Sequence, residues 1–304
     1  MNQPPHSLPP ASHLRHSLKD RFDLVIFDWA GTMVDFGCEA PVQALIEGFG
    51  AQGVDIDAAT ARRDMGKAKI DHVRSLLAEP AVAAAWRAKH GRASDEADVD
   101  HLIMQLGPLM REHAARAATL IAGARETFER LRAAGLRVAS STGYTRDMMQ
   151  PLLARAAEQG YVPEHLVCSG ETPAGRPSPL MIYKACAELG VWPLSRVVKV
   201  DDALVGIAEG RAAGAYTVGV ASGNVLGLSL EALQALPAPE RTQHIDAARQ
   251  ALLDAGADVA IASVADLLPA LERAAEGAFS GPDAGRGQGR SQGRGRGRAL
   301  KFQR

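Results

Sequence analysis

Six short apolar runs constrain this chain more than any other feature. Leu24-Val25-Ile26-Phe27, Leu136 to Ala139, Leu166 to Cys168, Val197 to Val200, Thr217 to Val220 and Val259 to Ala262 are rich in β-branched residues and apolar on both faces. A strand of that kind has to be covered on both sides. Amphipathic stretches such as Ala124 to Ala134 and Leu180 to Leu189 stand between the runs and supply the cover. From Gly123 onward the two alternate, which predicts an α/β fold on a doubly wound, Rossmann-like parallel sheet. Gly135, Gly190 and Gly214 fall where the helices should end.

The first run breaks this rhythm. About a hundred residues separate it from the second and hold no strand pattern. Pro41 to Gln52, Ala58 to Leu77, Val82 to His90 and Asp98 to Ala118 instead carry helical patterns. The expected organisation is a core of residues 21–35 and 120–275, with a helical cap domain, 36–119, inserted over the carboxyl edge of the sheet. Ligands of open α/β sheets bind at that edge. Residues 1–20, with four prolines and three histidines, read as a disordered leader, and 276–304, rich in Gly and Arg, as a disordered basic tail.

Charge and cysteines bound the function. The net charge of −1 conceals a tail, residues 281–304, with six Arg and one Lys against one Asp; that +6 leaves −7 for residues 1–280. An Arg/Gly tail raises the reading of a nucleic-acid-binding protein, but a single aromatic in it, Phe302, offers little surface for base stacking, so nucleic acid is not the expected partner. Three scattered cysteines form neither a disulfide framework nor a zinc spacing, and they suit a reducing cytoplasm. No apolar stretch is long enough to span a membrane.

Polar residues gather at the expected strand ends. Asp28 follows the first strand and precedes a Gly31-Thr32 turn, the place for a carboxylate nucleophile that attacks phosphorus. Ser140-Ser141-Thr142-Gly143 closes the second strand with hydroxyls and backbone N–H groups ahead of a helix. Arg176 lies in the loop after the third strand, where a cation can offset phosphoryl charge. Asp201-Asp202 ends the fourth, and a carboxylate there beside Asp28 forms an oxygen site suited to Mg²⁺.

Asp28-x-x-Gly31-Thr32, Ser141, Arg176 and Asp202 together resemble the four motifs of the haloacid dehalogenase superfamily. The resemblance implies that superfamily's α/β core with a helical cap. Phosphatases and mutases of the superfamily carry a second Asp two residues after the nucleophile, which protonates the leaving group; here the position is Ala30. In the cap, Met65, Ala68, Lys69, His72, Val73 and Leu76 fall on one helical stripe, apolar except for Lys69 and His72. Taken alone, Lys69 is as well explained as a snorkelling surface lysine. Drawn into the cap–core interface it would lose hydration, its pKa would fall, and its free amine could attack a carbonyl.

Ala30, Phe36-Gly37-Cys38-Glu39-Ala40-Pro41 and Met65-Gly66-x-x-Lys69-Ile70-Asp71-His72-Val73-Arg74 narrow the resemblance to the phosphonoacetaldehyde hydrolase, or phosphonatase, family. That resemblance implies cleavage of the carbon–phosphorus bond of phosphonoacetaldehyde through a Lys69 Schiff base and an Asp28 aspartyl phosphate. It further implies Mg²⁺ held by Asp28, the Ala30 carbonyl and Asp202. Phosphoryl oxygens fall to Ser141, Thr142, Arg176, Gly31 and Thr32; His72 shuttles protons and Met65 packs on the amine. A homodimer through the caps is implied, and Trp86 on its alanine-rich helix is a candidate for that interface. Two positions depart from the superfamily pattern: Asp201 stands where Gly is usual before Asp202, and Gly206 where a further Asp is usual. Asp201 either replaces that carboxylate or faces away. The rival within the same fold is a phosphatase or phosphomutase acting on a small phosphate ester.

Overall fold

The computed structural model describes residues 18–279. All six apolar runs form strands of one parallel sheet: β1 (Leu24–Phe27), β2 (Arg137–Thr142), β3 (His165–Cys168), β4 (Val197–Asp201), β5 (Tyr216–Val220) and β6 (Val259–Ile261). Their spatial order is β3-β2-β1-β4-β5-β6, the doubly wound arrangement in which the direction of winding reverses between β1 and β4. Phe27 pairs with Ser140 on one side and Val200 on the other, so Asp28, Ser141 and Asp201 leave three adjacent strands at one level.

Twelve helices can be assigned among the described residues. Five lie between β1 and β2: α1 (Glu39–Ala51), α2 (Ala58–Arg62), α3 (Lys69–Ala78), α4 (Pro80–His90) and α5 (Glu96–Ala117). The rest cover the sheet: α6 (Ala124–Ala133), α7 (Arg146–Glu158), α8 (Leu180–Leu189), α9 (Leu204–Ala213), α10 (Leu230–Ala235), α11 (Ala238–Asp254) and α12 (Leu267–Phe279). α8 and α9 end on Gly190 and Gly214 in left-handed conformation, as their place in the sequence predicts. One apolar cluster runs from Phe27 and Val200 of the sheet through Met33 and Val34 to Leu45, Leu102 and Leu106. The five inserted helices therefore share the core of the sheet.

Four expectations are corrected. The stripe from Ala58 to Leu77 is not one helix: α2 stops at Arg62, α3 starts at Lys69, and Asp64 (φ 57°) and Gly66 (φ 94°) between them are left-handed. A side chain on Gly66 would put its Cβ 2.8 Å from Val205 Cγ2, so the break lets the chain lie close against the core. Leu18–Asp20 belong to a helical turn and not to a disordered leader; Leu18 is fully buried, and Arg196 donates to the carbonyls of Lys19 and Asp20 at 2.7 Å each. Trp86 is no surface anchor. It is buried among the inserted helices and stacks on His90 with ring centroids 4.2 Å apart. Residues 276–279, assigned by composition to the tail, continue α12, and the expected disorder of 1–17 and 280–304 lies outside the described residues. No described helix is long and apolar enough to cross a membrane, and all three cysteines are free and buried.

Candidate active site

The site has a charged floor at the strand ends. Asp28 emerges from β1 into burial, and Arg176 Nη1 donates to its Oδ1 at 2.7 Å. Burial and the neighbouring Asp201 push the Asp28 carboxyl up to about 6, against the pull of Arg176 and Lys199. Arg176 is held on its other sides: Nη2 donates to the Ser141 carbonyl at 2.7 Å and the Ser141 hydroxyl at 3.0 Å, and Nε to Glu209 at 2.9 Å. Asp202 accepts from the Thr32 hydroxyl at 2.8 Å and the Asn224 N–H at 2.6 Å, while burial, Asp28 and Asp201 push its carboxyl well up.

Asp201 faces inward. Its Oδ1 accepts from the Ala203 N–H at 3.0 Å, and its Oδ2 lies 3.0 Å from Lys199 Nζ and 3.4 Å from Arg176 Nη1. Burial alone would raise its pKa, but the two cations outweigh burial and hold the carboxyl below the usual range. A Cβ on Gly206 would stand 2.0 Å from its Cγ, so the Asp201 carboxylate fills the volume a side chain at 206 would need. Asp28, Asp201 and Asp202 each present an oxygen within 4.8 Å of the others. The buried floor thus counts four carboxylates, with Glu209, against two cations, Arg176 and Lys199. Two acidic groups in excess of the cations, on hard oxygen donors, fit a divalent cation, which would draw off their protons.

The wall opposite is apolar. A narrow pocket is bounded by Asp28, Ala30 and Asp202 from the floor and by Cys38, Met65, Lys69 and Tyr144 across from them. Lys69, the first residue of α3, is buried; its Nζ lies 3.6 Å from Met65 Sδ and 5.3 Å from the Tyr144 ring centroid. No carboxylate bonds to it, and burial pulls it down to about 8. Thr142 and Gly143 also line the pocket, the Thr142 hydroxyl accepting from the Tyr144 N–H at 3.2 Å.

The contact expected between Met65 and Lys69 is therefore present, although Met65 reaches the amine from the loop before α3 and not along a helix. His72 is fully buried one turn along α3 and does not line the pocket; burial and the Lys69 charge pull it down to about 3, so it stays neutral. Gly31 and Thr32 are placed otherwise than expected. Their N–H groups are spent within the turn, on the Val34 and Trp29 carbonyls, and the Thr32 hydroxyl serves Asp202, so neither offers a free donor to a phosphoryl group. A Cβ on Gly31 would meet Asp202 Oδ2 at 2.1 Å, which accounts for the glycine. Lys199 and Glu209 belong to the floor but carry no motif. The available signal was a lysine inside the otherwise apolar run of β4.

Comparison with known proteins agrees with this geometry. Residues 22–214 match the family model described as haloacid dehalogenase-like hydrolase. The chain is 46% identical over 246 residues to a phosphonoacetaldehyde hydrolase of Paraburkholderia xenovorans (strain LB400), covering 81% of this chain and 92% of that protein. It is 40% identical over 254 residues to one of Bacillus cereus (strain AH820), covering 83% and 96%. Among solved structures, a phosphonoacetaldehyde hydrolase-like protein from Oleispira antarctica superposes with a TM-score of 0.81 at 40% identity, over 84% of this chain and 94% of that one.

Proposed function

The chain belongs to the haloacid dehalogenase-like hydrolases and, within them, to the phosphonoacetaldehyde hydrolase family, and on that premise we propose that it hydrolyses phosphonoacetaldehyde to acetaldehyde and phosphate. The observation that carries this reading is the buried amine of Lys69 facing the same pocket as Asp28, with Ala30 where a proton donor to an alkoxide would stand. An ester phosphatase needs that acid. A carbon leaving group needs an electron sink instead.

The sink is the Lys69 imine. The free amine adds to the aldehyde carbon, water departs, and a protonated imine forms two bonds from phosphorus. Asp28 then attacks phosphorus; the carbon–phosphorus electron pair moves into the imine and leaves an enamine on Lys69 and an acyl phosphate on Asp28. Protonation of the enamine and hydrolysis release acetaldehyde and return the amine, while water cleaves the acyl phosphate. Thr142, which lines the pocket, meets the phosphoryl oxygens, and Arg176, bonded to Asp28 at 2.7 Å and to Ser141 behind the lining, offsets their charge. Met65 and Tyr144 keep water from the amine. His72, neutral behind Lys69, exchanges protons with the pocket only through that amine.

The carboxylate donors suit Mg²⁺, held by Asp28, Asp202 and the Ala30 carbonyl; when bound it supplies charge neutralisation at the phosphoryl group. The protein works in the cytoplasm, and the exposed side of α4 joins two copies, with Ala84 and Ala85 in place of the buried Trp86. Borohydride trapping tests the central claim: with phosphonoacetaldehyde and Mg²⁺, reduction should leave an ethyl group on Lys69 while phosphate is released. Phosphate release without a modified lysine would refute the imine.

A further inference from the structure

The steps above draw on two separate sets of groups. Attack on phosphorus uses Asp28, at the end of β1, while the electron sink is Lys69, the first residue of α3. The surroundings of Lys69 are apolar: Met65 Sδ lies 3.6 Å from its Nζ, the Tyr144 ring centroid 5.3 Å, and Cys38 lines the same wall. Among the described residues no carboxylate pairs with the amine. A lysine desolvated in an apolar pocket is set to attack a carbonyl, and the imine it forms accepts the bonding pair of a group on the next carbon. The imine requires only that this group depart without the pair. A phosphoryl group needs a nucleophile to receive it, which is the work of Asp28. A carboxylate needs none, because it departs as CO₂.

We propose that the Lys69 side of the pocket carries a second activity, the decarboxylation of a short 3-oxo acid with a terminal aldehyde, its carboxylate standing where the phosphonate stands. The amine adds to the aldehyde carbon and water departs. The carbon–carbon pair then moves into the protonated imine, which leaves an enamine on Lys69 and releases CO₂. A proton from solvent on the enamine carbon, followed by hydrolysis, returns acetaldehyde and the amine. One carbon–carbon bond breaks, one carbon–hydrogen bond forms, and no oxidant or reductant is consumed. The substrate fits the site. In both compounds the leaving group sits on the carbon next to the aldehyde, and a carboxylate has one oxygen fewer than a phosphonate, which suits the narrow pocket. Thr142 lines that end, and the charge of Arg176 lies behind it. A carboxylate brought beside Asp28 is also relieved of like-charge repulsion when it becomes neutral CO₂. The inference rests on the imine of the hydrolase reading and dispenses with its nucleophile.

Freshly prepared 3-oxopropanoate tests it, with CO₂ release at pH 7 in the presence of Mg²⁺ followed against the uncatalysed rate. Wild type should exceed Lys69→Met, in which only exposed lysines remain to form imines, by at least about a hundredfold, because an amine titrating at about 8 is free a few hundredfold more often than an ordinary lysine. Asp28→Asn should keep CO₂ release within about tenfold of wild type, while its phosphate release from phosphonoacetaldehyde falls at least about 10⁴-fold. Asp28→Ser takes its place if Asp28→Asn does not fold. Borohydride added during turnover of the wild type should leave a carboxyethyl group on Lys69, read by peptide mass spectrometry, a measurement that needs no variant. Wild-type CO₂ release no faster than that of Lys69→Met, equal losses of the two activities at position 28, or no carboxyethyl group on Lys69 overturns the proposal. Failure of the hydrolase reading looks different: wild-type enzyme then releases no phosphate from phosphonoacetaldehyde, whatever it does to 3-oxopropanoate.

Discussion

The two sides of the pocket handle charge in opposite ways. On the floor, four carboxyl groups and two cations are buried together, and Arg176 alone binds Asp28, Ser141 and Glu209. On the wall one ionisable amine, Lys69, sits among Met65, Tyr144 and Cys38 with no carboxylate bonded to it. The floor sets acids against cations, which holds Asp201 down while burial and neighbouring acids push Asp28 and Asp202 up; the wall takes charge away, by desolvation. The proposed mechanism uses both, since phosphoryl transfer runs on fixed charge and imine formation on a free amine. The chemistry is thus divided between a strand-end cluster and a loop-borne helix start.

The comparison breaks most sharply when one side is removed at a time. Asp28→Asn should abolish phosphate release, by at least about 10⁴-fold, yet still yield a reducible imine on Lys69. Lys69→Arg should abolish release by a similar factor and yield no adduct, because a guanidinium stays protonated and cannot condense with an aldehyde. Mass spectrometry after borohydride, with phosphate measured in parallel, separates the two. An Asp28→Asn enzyme that forms no imine would mean that the sides do not act independently.

A smaller effect compares their tolerance of volume. In Gly206→Ala the new methyl would have to enter the space of the Asp201 carboxylate, which Lys199 and the Ala203 N–H hold in place. Stability should fall by about 2–3 kcal/mol in urea titrations, with a matching loss of divalent-metal affinity. Gly214→Ala, also a helix glycine but with nothing within 4 Å of a new Cβ, should cost about 1 kcal/mol of backbone strain and leave metal affinity alone. Met65→Leu on the wall keeps its volume and should cost less than about 1.5 kcal/mol. Equal losses for Gly206→Ala and Met65→Leu would show that the floor is no more closely fitted than the wall.

The strands were legible because a buried parallel strand writes its burial into every residue, as in Leu24–Phe27. The floor's acids were legible for a related reason, since polar residues directly after such runs have one place to go. Legibility failed where a role depends on a contact across the fold. Glu209 lies within a small-residue helix and acquires meaning only from Arg176 and Lys199, residues brought to it by folding. The inward turn of Asp201 depended on the space at Gly206, which spacing along the chain does not report. Between Arg62 and Lys69, helical periodicity placed Met65 beside the amine although no helix is present there. A left-handed Asp64 and Gly66 bring it to the same side by another route.

The smallest effect concerns the amine itself. Burial lowers the Lys69 pKa from its ordinary value near 10.5 to about 8. At pH 7 about a tenth of the lysine is then free amine, against about 0.03% for an exposed lysine. Trapping at subsaturating aldehyde should therefore rise about tenfold between pH 7 and pH 9 and level off above, well before an exposed lysine would respond. The same shift sets a sign for stability. Because the folded pKa lies below the unfolded one, the ammonium is disfavoured by folding, and Lys69 destabilises the enzyme most below about pH 8, with the penalty fading as pH rises from about 8 to 10.5. Lys69→Met should then be inactive yet more stable than wild type at pH 7, with the gap closing toward pH 10. A Lys69→Met protein less stable than wild type at pH 7 would mean that the wall supports the ammonium, and the contrast with the floor would fail.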